Sequence, residues 1–364
     1  MMNPFKYGSV VDDPHFINRK IEIERVSGLL NSENHLILIS PRRYGKTSLI
    51  KKVLNEKGNR SIYLDMQLIM SGEDFASQLL KRIYKISTIE KVKGYIKTFR
   101  IVPSLSINPI TGEPDVSFRN EKGGNAPLED VLNLLDKIGS TNDRILVALD
   151  EFQEIFRIGK GYDRLLRSVM QHHKHVNYIF AGSSESMIRE IFERKKSPFY
   201  HFSELMILDR IPEQEFIGFL NKEFKKISES PELITRSILS VTESHPYYTQ
   251  QLSSVIWRII SQGDDSDNFL EKAVNELLSN HDNDYERIWN GLNRTDMKIL
   301  LGLSESEEEP LSNDFIHTYI NGAKSTVYSS LQKLMKKGIV VKENSIYSID
   351  DPFFKRWILK RRQM

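Results

Sequence analysis

The sequence predicts an α/β fold: a parallel sheet with helices on both faces, followed by an α-helical segment and a C-terminal winged helix-turn-helix. Three observations predict it. Short apolar runs without alternation, such as Leu36 to Ile39 and Ile145 to Leu149, suit strands buried on both faces of a parallel sheet. Helix-periodic stretches separate most of these runs, the rhythm that places helices over such a sheet. After Pro212 the strand runs stop, and two short helical patterns precede a two-strand pattern near the C-terminus.

Taken in order, the first strand, Leu36 to Ile39, runs at once into Ser40-Pro41-Arg42-Arg43-Tyr44-Gly45-Lys46-Thr47-Ser48, and from Lys46 a helix buries Leu49, Ile50, Val53 and Leu54. Further strands are expected at Ser61 to Leu64, Ile145 to Leu149, Asn177 to Ala181 and Leu205 to Leu208, with helices at Glu73 to Ile86, Leu128 to Ile138 and Tyr162 to His173. A stretch rich in Pro and Gly interrupts them and reads as an inserted β-hairpin at about 95–125, turning through Asn108 to Gly112. A decorating loop and a contact for a partner or DNA are both open for it. At least three helices lie between Glu213 and Ser279. A short helix Asn313 to Ile320, a longer one Ala323 to Lys337, and strands Ile339 to Lys342 and Ser345 to Ile349 complete the winged-helix outline. The expected domains are a core at 1–210, a helical lid at 211–285 and the winged helix at 286–364, in keeping with about 100 to 200 residues per domain.

Composition removes several classes. With no Cys among 364 residues, disulfide scaffolds and thiolate metal sites are excluded. No apolar run approaches the roughly 20 residues of a membrane span, and the polar N-terminus lacks a secretory apolar stretch, so a cytoplasmic location is expected. Lys and Arg number 51 against 49 Asp and Glu. That balance by itself points to no partner.

A Gly-x-x-x-x-Gly-Lys-[Ser/Thr] run between a strand and a helix is the P-loop, whose backbone N–H groups cradle phosphates at a helix N-terminus. Here Ser40 replaces the first glycine, Gly45 permits close approach, Lys46 reaches the β- and γ-phosphates, and Thr47 holds Mg²⁺ through its hydroxyl. Ser40 through Ser48 are therefore the expected ATP- or ADP-binding residues. Arg42 and Arg43 either balance phosphate charge, pair with a carboxylate elsewhere in the domain, or remain structural. The strand Ile145 to Leu149 ends in Asp150-Glu151, which places two carboxylates at the edge where ligands bind such sheets. Asp150 supports Mg²⁺ and Glu151 orients or deprotonates the attacking water. Ser183, after the next strand, is positioned to sense the γ-phosphate or to hold that water. The guanine-reading Asn-Lys-x-Asp is absent, which favours adenine. His172, His173 and His175 lack a carboxylate at ligand spacing and read as a solvated helix end.

These motifs, with Phe16 to Ile23, Leu149-Asp150-Glu151-Phe152-Gln153, Ala181-Gly182-Ser183-Ser184, Ser244-His245-Pro246-Tyr247-Tyr248 and Asp351-Pro352-Phe353-Phe354-Lys355-Arg356-Trp357, resemble the archaeal and bacterial ATPase family of AAA+/STAND P-loop NTPases related to origin-recognition ATPases. The resemblance implies an ATP-dependent switch built as ATPase core, helical lid and winged helix. It implies that Phe16 and Arg19 lie in an adenine-side box and that His245 and Pro246 form a lid element facing the nucleotide. It places Lys46, Asp150, Glu151 and Ser183 in catalysis. The family arginine expected after the sensor strand is missing, so Arg194 or Arg210 would have to replace it, which leaves oligomeric state open and turnover slow.

Charge is unevenly distributed. Residues 324 to 364 carry ten basic and three acidic side chains. The expected recognition helix buries Val327, Leu331 and Leu334 and offers Lys324, Ser325, Tyr328, Ser329 and Gln332 outward, with Lys336 and Lys337 at its end. DNA and a protein partner are both open for this face. The basic tail Arg356 to Arg362 either closes the module or touches a phosphate backbone. The expected function is a slow, Mg²⁺-dependent ATPase switch whose lid and winged helix bind DNA or a protein partner. Its rivals are a nucleotide-gated DNA-binding regulator with little hydrolysis and an ATP-dependent protein-interaction scaffold.

Overall fold

The computed structural model describes the chain apart from residues 1, 18, 31, 108, 110–113, 119–123, 184, 264–267, 307–308, 344 and 363–364. It packs as two compact bodies, Arg19–Ser40 with Lys46–Leu208, and Met1–Asn18 with Pro41–Gly45 and Asp209–Met364.

The first body is built on strands β1 (Leu36–Ile39), β2 (Ser61–Asp65), β5 (Ile145–Asp150), β6 (Val176–Gly182) and β7 (Glu204–Ile207), with a separate pair β3 (Ser104–Ile107) and β4 (Pro114–Ser117) between β2 and β5 in the chain. The sheet order is β2-β5-β6-β1-β7 and every pairing is parallel. Alternate residues of a strand face opposite sides. Ile37 and Ile39 join the core of Phe75, Leu79, Leu132 and Leu135, while Leu36 and Leu38 on the other side are equally buried. Both faces are thus covered, which is why the strands read as continuous apolar runs. Each such buried side chain contributes about 1.5–3 kcal/mol relative to exposure.

Parallel order brings the C-terminal ends of β5, β6 and β1 side by side. They deliver Asp150, Ser183 and Ser40 to one edge. The hairpin β3–β4 forms as expected, with Leu105 opposite Val116, although most of its turn, 108 and 110–112, lies outside the described residues. Val116 and Phe118 join the core, and Asp115 pairs with Lys81 at 2.7 Å on helix Gly72–Ile86. The helix begun at Tyr162 ends at Met170, short of His173, because the chain turns there to enter β6.

In the second body, helices Glu213–Phe224, Pro231–Thr242, Pro246–Ser261 and Phe269–Asn290 share one apolar core with helices Arg294–Glu305, Lys324–Lys336 and Pro352–Arg362. The N-terminal Phe5 packs edge-on against Phe219 and Trp257. Asn293 caps its helix with a reciprocal box to Asp296. Helix Asn313–Phe315 passes into a π turn at Ile316–Ile320, and helix Lys324–Lys336 leads through Gly338, at φ +69°, into the antiparallel strands β8 (Val340–Glu343) and β9 (Ile346–Ile349). That is the winged-helix order. Among the described residues no helix is long and apolar enough to cross a membrane.

Candidate functional site

The helix that starts at Lys46 points its first turn at the ends of β5 and β6 in the first body. Lys46 Nζ lies 2.9 Å from Asp150 Oδ1 and 2.8 Å from Glu151 Oε1. Thr47 Oγ1 donates to Asp150 Oδ2 at 2.8 Å, and Tyr63 OH donates to the same oxygen at 2.9 Å. Glu151 Oε2 accepts from Gln153 Nε2 at 2.5 Å, from Ser183 Oγ at 2.8 Å and from Ser183 N–H at 3.2 Å. Lys46, Thr47, Asp150, Glu151 and Ser183 are thus brought together. Ser40 is fully buried, its N–H bonded to the Gly182 carbonyl, and Ser48 is buried on the helix.

Burial pushes the Glu151 carboxyl up, but Lys46, by charge and hydrogen bond, together with Gln153 and Ser183, outweighs it and leaves it at about 2. Its backbone sits at φ +52°, in the left-handed region. That conformation costs a non-glycine residue about 1–2 kcal/mol, and the side-chain bonds from Gln153, Ser183 and Lys46 hold it there. Two contributors were given no role by the sequence. Tyr63 reaches Asp150 only because β2 lies beside β5, and burial first, then Asp150, raises its hydroxyl well above the usual range. Gln153 fits because Gly182 faces it; a Cβ there would strike the Gln153 amide.

The other loop residues belong to the second body. Arg43, at φ +70°, stacks over the Tyr247 ring at 4.6 Å and donates to Tyr248 OH at 3.0 Å. Tyr44 is 1% exposed, with its hydroxyl 2.9 Å from Asp350 Oδ1 and 3.0 Å from Glu343 Oε1. Its ring meets His245, which is wholly buried, at 4.8 Å. His245 caps helix Pro246–Ser261, with Pro246 in its first turn, by accepting from Tyr247 N–H. Arg42 is exposed and Pro41 half-buried. Phe16 is half-buried in this body, whereas Arg19 belongs to the first, where it pairs with Glu22 at 2.7 Å. Of the two replacement arginines, Arg194 pairs with Glu190 at the surface and Arg210 with Glu243 and Glu343.

On helix Lys324–Lys336, Val327, Leu331 and Leu334 are buried, and Lys324, Ser325, Tyr328, Ser329, Gln332 and Lys336 are exposed, as is the following Lys337. The basic tail closes the module. Arg361 pairs with Asp282 and Arg362 with Glu286, and Trp357 Nε1 donates to Asp282 at 2.7 Å. Lys333 pairs with the buried Asp296 and Lys355 lies 3.5 Å from Glu243. The basic excess counted along 324–364 is therefore partly cancelled by acids elsewhere in the chain, while Lys324, Lys336 and Lys337 on or beside helix Lys324–Lys336 remain exposed, as do Lys342 and Arg356. His173 is not a solvated residue: its Nδ1 meets Tyr178 OH at 2.8 Å, and desolvation holds it down to about 4. Among the described residues no group of three His, Cys, Asp or Glu is arranged to hold a metal by itself.

Residues 16–252 match the model of an ATPase domain predominantly from Archaea. The chain belongs to this archaeal ATPase family. Residues 283–360 match a probable winged helix domain. Among solved structures, this family member is similar to a Walker-type ATPase of Pyrococcus abyssi, with 19% identity, TM-score 0.69, and coverage of 98% of this chain and 99% of that one. It is also similar to the ORC2 protein of Aeropyrum pernix, solved in ADPNP–ADP complexes, with 17% identity, TM-score 0.54, and coverage of 98% and 96%. At these identities the likeness is one of fold. No curated protein sequence matches the chain. The ATPase model spans Lys46, Asp150, Glu151, Ser183 and His245 of this archaeal ATPase-family chain, and the winged-helix model spans its exposed lysines.

Proposed function

We propose that this ATPase-family protein binds Mg²⁺-ATP at Lys46 to Ser48 and the ends of β5 and β6, hydrolyses it slowly, and uses the nucleotide state to control its winged helix. The observation that carries the reading is the convergence of Lys46, Thr47, Asp150, Glu151 and Ser183 within hydrogen-bond distance. A hydroxyl and a carboxylate oxygen 2.8 Å apart, on Thr47 and Asp150, are the hard donors Mg²⁺ prefers, and one or two protein ligands suffice when phosphates and waters supply the rest. Held by Thr47 and Asp150, the ion would supply charge neutralisation to the bound phosphates.

Lys46 exchanges its two carboxylates for phosphate oxygens when the triphosphate enters. Glu151, released from Lys46 and still held by Ser183, orients a water for in-line attack on the γ-phosphorus. The new P–O bond forms as the bond to the bridging oxygen breaks, and the proton of the water passes to Glu151 or to the released phosphate. The exchange removes the largest of the influences that lower the Glu151 carboxyl, which leaves Glu151 better able to accept from the water it orients. The engagement of Arg194 and Arg210 in ion pairs of their own favours slow turnover. It also lends weight to the second reading, a nucleotide-gated regulator. Glu151→Gln keeps ATP bound and lowers phosphate release about 100-fold or more; an unchanged release rate removes Glu151 from the reaction.

We assign the core to 1–210, the lid to 211–285 and the winged helix to 286–364, and place the protein in the cytoplasm with the nucleotide pool. DNA is the favoured partner of the face formed by Lys324, Ser325, Tyr328, Lys336 and Lys337, since an exposed helix with lysines at both ends suits phosphate contacts. Binding of duplex DNA that weakens as salt rises supports it; no binding at low salt leaves the protein scaffold as the reading.

A further inference from the structure

The motifs Ser244 to Tyr248 and Asp351 to Trp357 have no part in the chemistry above, yet both meet the phosphate loop. Two adjacent loop residues reach two adjacent carboxylates. Arg43 donates to Tyr248 OH, and the Asp351 charge acts on both groups; Asp351 accepts from Tyr285 OH at 3.0 Å and caps the last helix through the N–H groups of Phe353 and Phe354. Tyr44 donates to Asp350 and Glu343, which flank the wing: Glu343 closes β8 and Asp350 follows β9. A phenol has one proton, so the two carboxylates share it. Arg210 supplies the compensating charge, 3.5 Å from Glu343 and 3.1 Å from Glu243. Among the described residues His245 Nε2 is buried without a hydrogen-bond partner, and it lies 3.6 Å from Asp350.

Arg43 holds a left-handed backbone and Gly45 follows at φ +86°, the alternation that turns successive N–H groups toward a bound anion. For Arg43 this conformation is unfavourable, and the stack on Tyr247 and the bond to Tyr248 sustain it. The side chains that shape the phosphate cradle are therefore the ones anchored at the wing.

We propose that Tyr44 with Asp350 and Glu343, and Arg43 with Tyr248 and Asp351, form a latch through which nucleotide in the phosphate loop and the docked wing stabilise one another. The inference rests on nucleotide binding at that loop and adds its regulation. Because such coupling is reciprocal, the factor by which the latch strengthens nucleotide binding equals the factor by which nucleotide suppresses opening of the wing.

The test measures Mg²⁺-ADP affinity by calorimetry and amide hydrogen exchange over 340–349, with and without saturating Mg²⁺-ADP. It compares the full chain with its Asp350→Ala/Glu343→Ala variant. In the wild type, ADP slows wing exchange about 5- to 10-fold, within the usual range of coupling; in the variant ADP binds more weakly by a similar factor and wing exchange no longer responds. If the double variant fails to fold, Tyr44→Phe gives the same loss of response. Wild type that binds ADP with unchanged wing exchange overturns the latch alone, as does either variant that keeps the full response. Wild type that binds no ADP overturns the nucleotide reading and the latch with it.

Discussion

At the scale of single residues, the elements that carry the candidate site were legible because they depend on chain-local order: a strand, a loop, then Lys46-Thr47, with Asp150-Glu151 closing another strand. What was hidden needed strand order. Tyr63 reaches Asp150 through the pairing of β2 with β5, and no spacing in the sequence shows that pairing. Gln153 stood in a recognised motif, but its role appears only where Gly182 leaves room for it. Removing it has a measurable consequence. Gln153→Ala deletes a donor that lowers the Glu151 carboxyl, so that carboxyl rises from about 2 toward its ordinary 4.5, which a carboxylate NMR titration reads. The sign follows for stability too. A carboxyl lowered in the folded state stabilises the fold fully above pH 4.5 and loses that contribution as pH falls toward 2, so the wild type loses more stability than Glu151→Gln across that window.

Among elements, the winged helix shows why charge counted along a window misleads. Ten basic residues fall within 324–364, but four of them, Lys333, Lys355, Arg361 and Arg362, pair with Asp296, Glu243, Asp282 and Glu286, which lie before it in the chain. Helix pattern located helix Lys324–Lys336, since burial of Val327, Leu331 and Leu334 follows from 3.6-residue spacing, whereas ion pairs over long separations follow from tertiary packing. Replacing Lys336 and Lys337 by Ala therefore lowers the salt dependence of DNA binding, by about 0.9 in log–log slope for each phosphate no longer neutralised. Arg362→Ala leaves that slope unchanged. Asp296 is the structural counterpart: fully buried, it completes the Asn293 cap and accepts from Ser330 and Lys333. Asp296→Ala destabilises the fold by about 2–4 kcal/mol, combining a lost cap with buried groups left unpaired, as chemical unfolding measures.

For the whole molecule, the alternation of strands and helices foretold the parallel sheet, and the helix, turn, helix and hairpin pattern foretold the winged helix. The sequence carried no sign that Pro41–Gly45 pack with the C-terminal body while Lys46 begins a helix of the other, because the loop reads as one continuous motif. Hydrolysis of ATP where Lys46, Asp150 and Glu151 converge is the reading on which the rest depends. Phosphate release from Mg²⁺-ATP by the purified full chain, run beside Lys46→Ala and Glu151→Gln, puts it to the test. We expect slow release by the wild type, loss of both ATP binding and release in Lys46→Ala, and retained binding without release in Glu151→Gln. Release that persists unchanged in both variants rules out catalysis at this site.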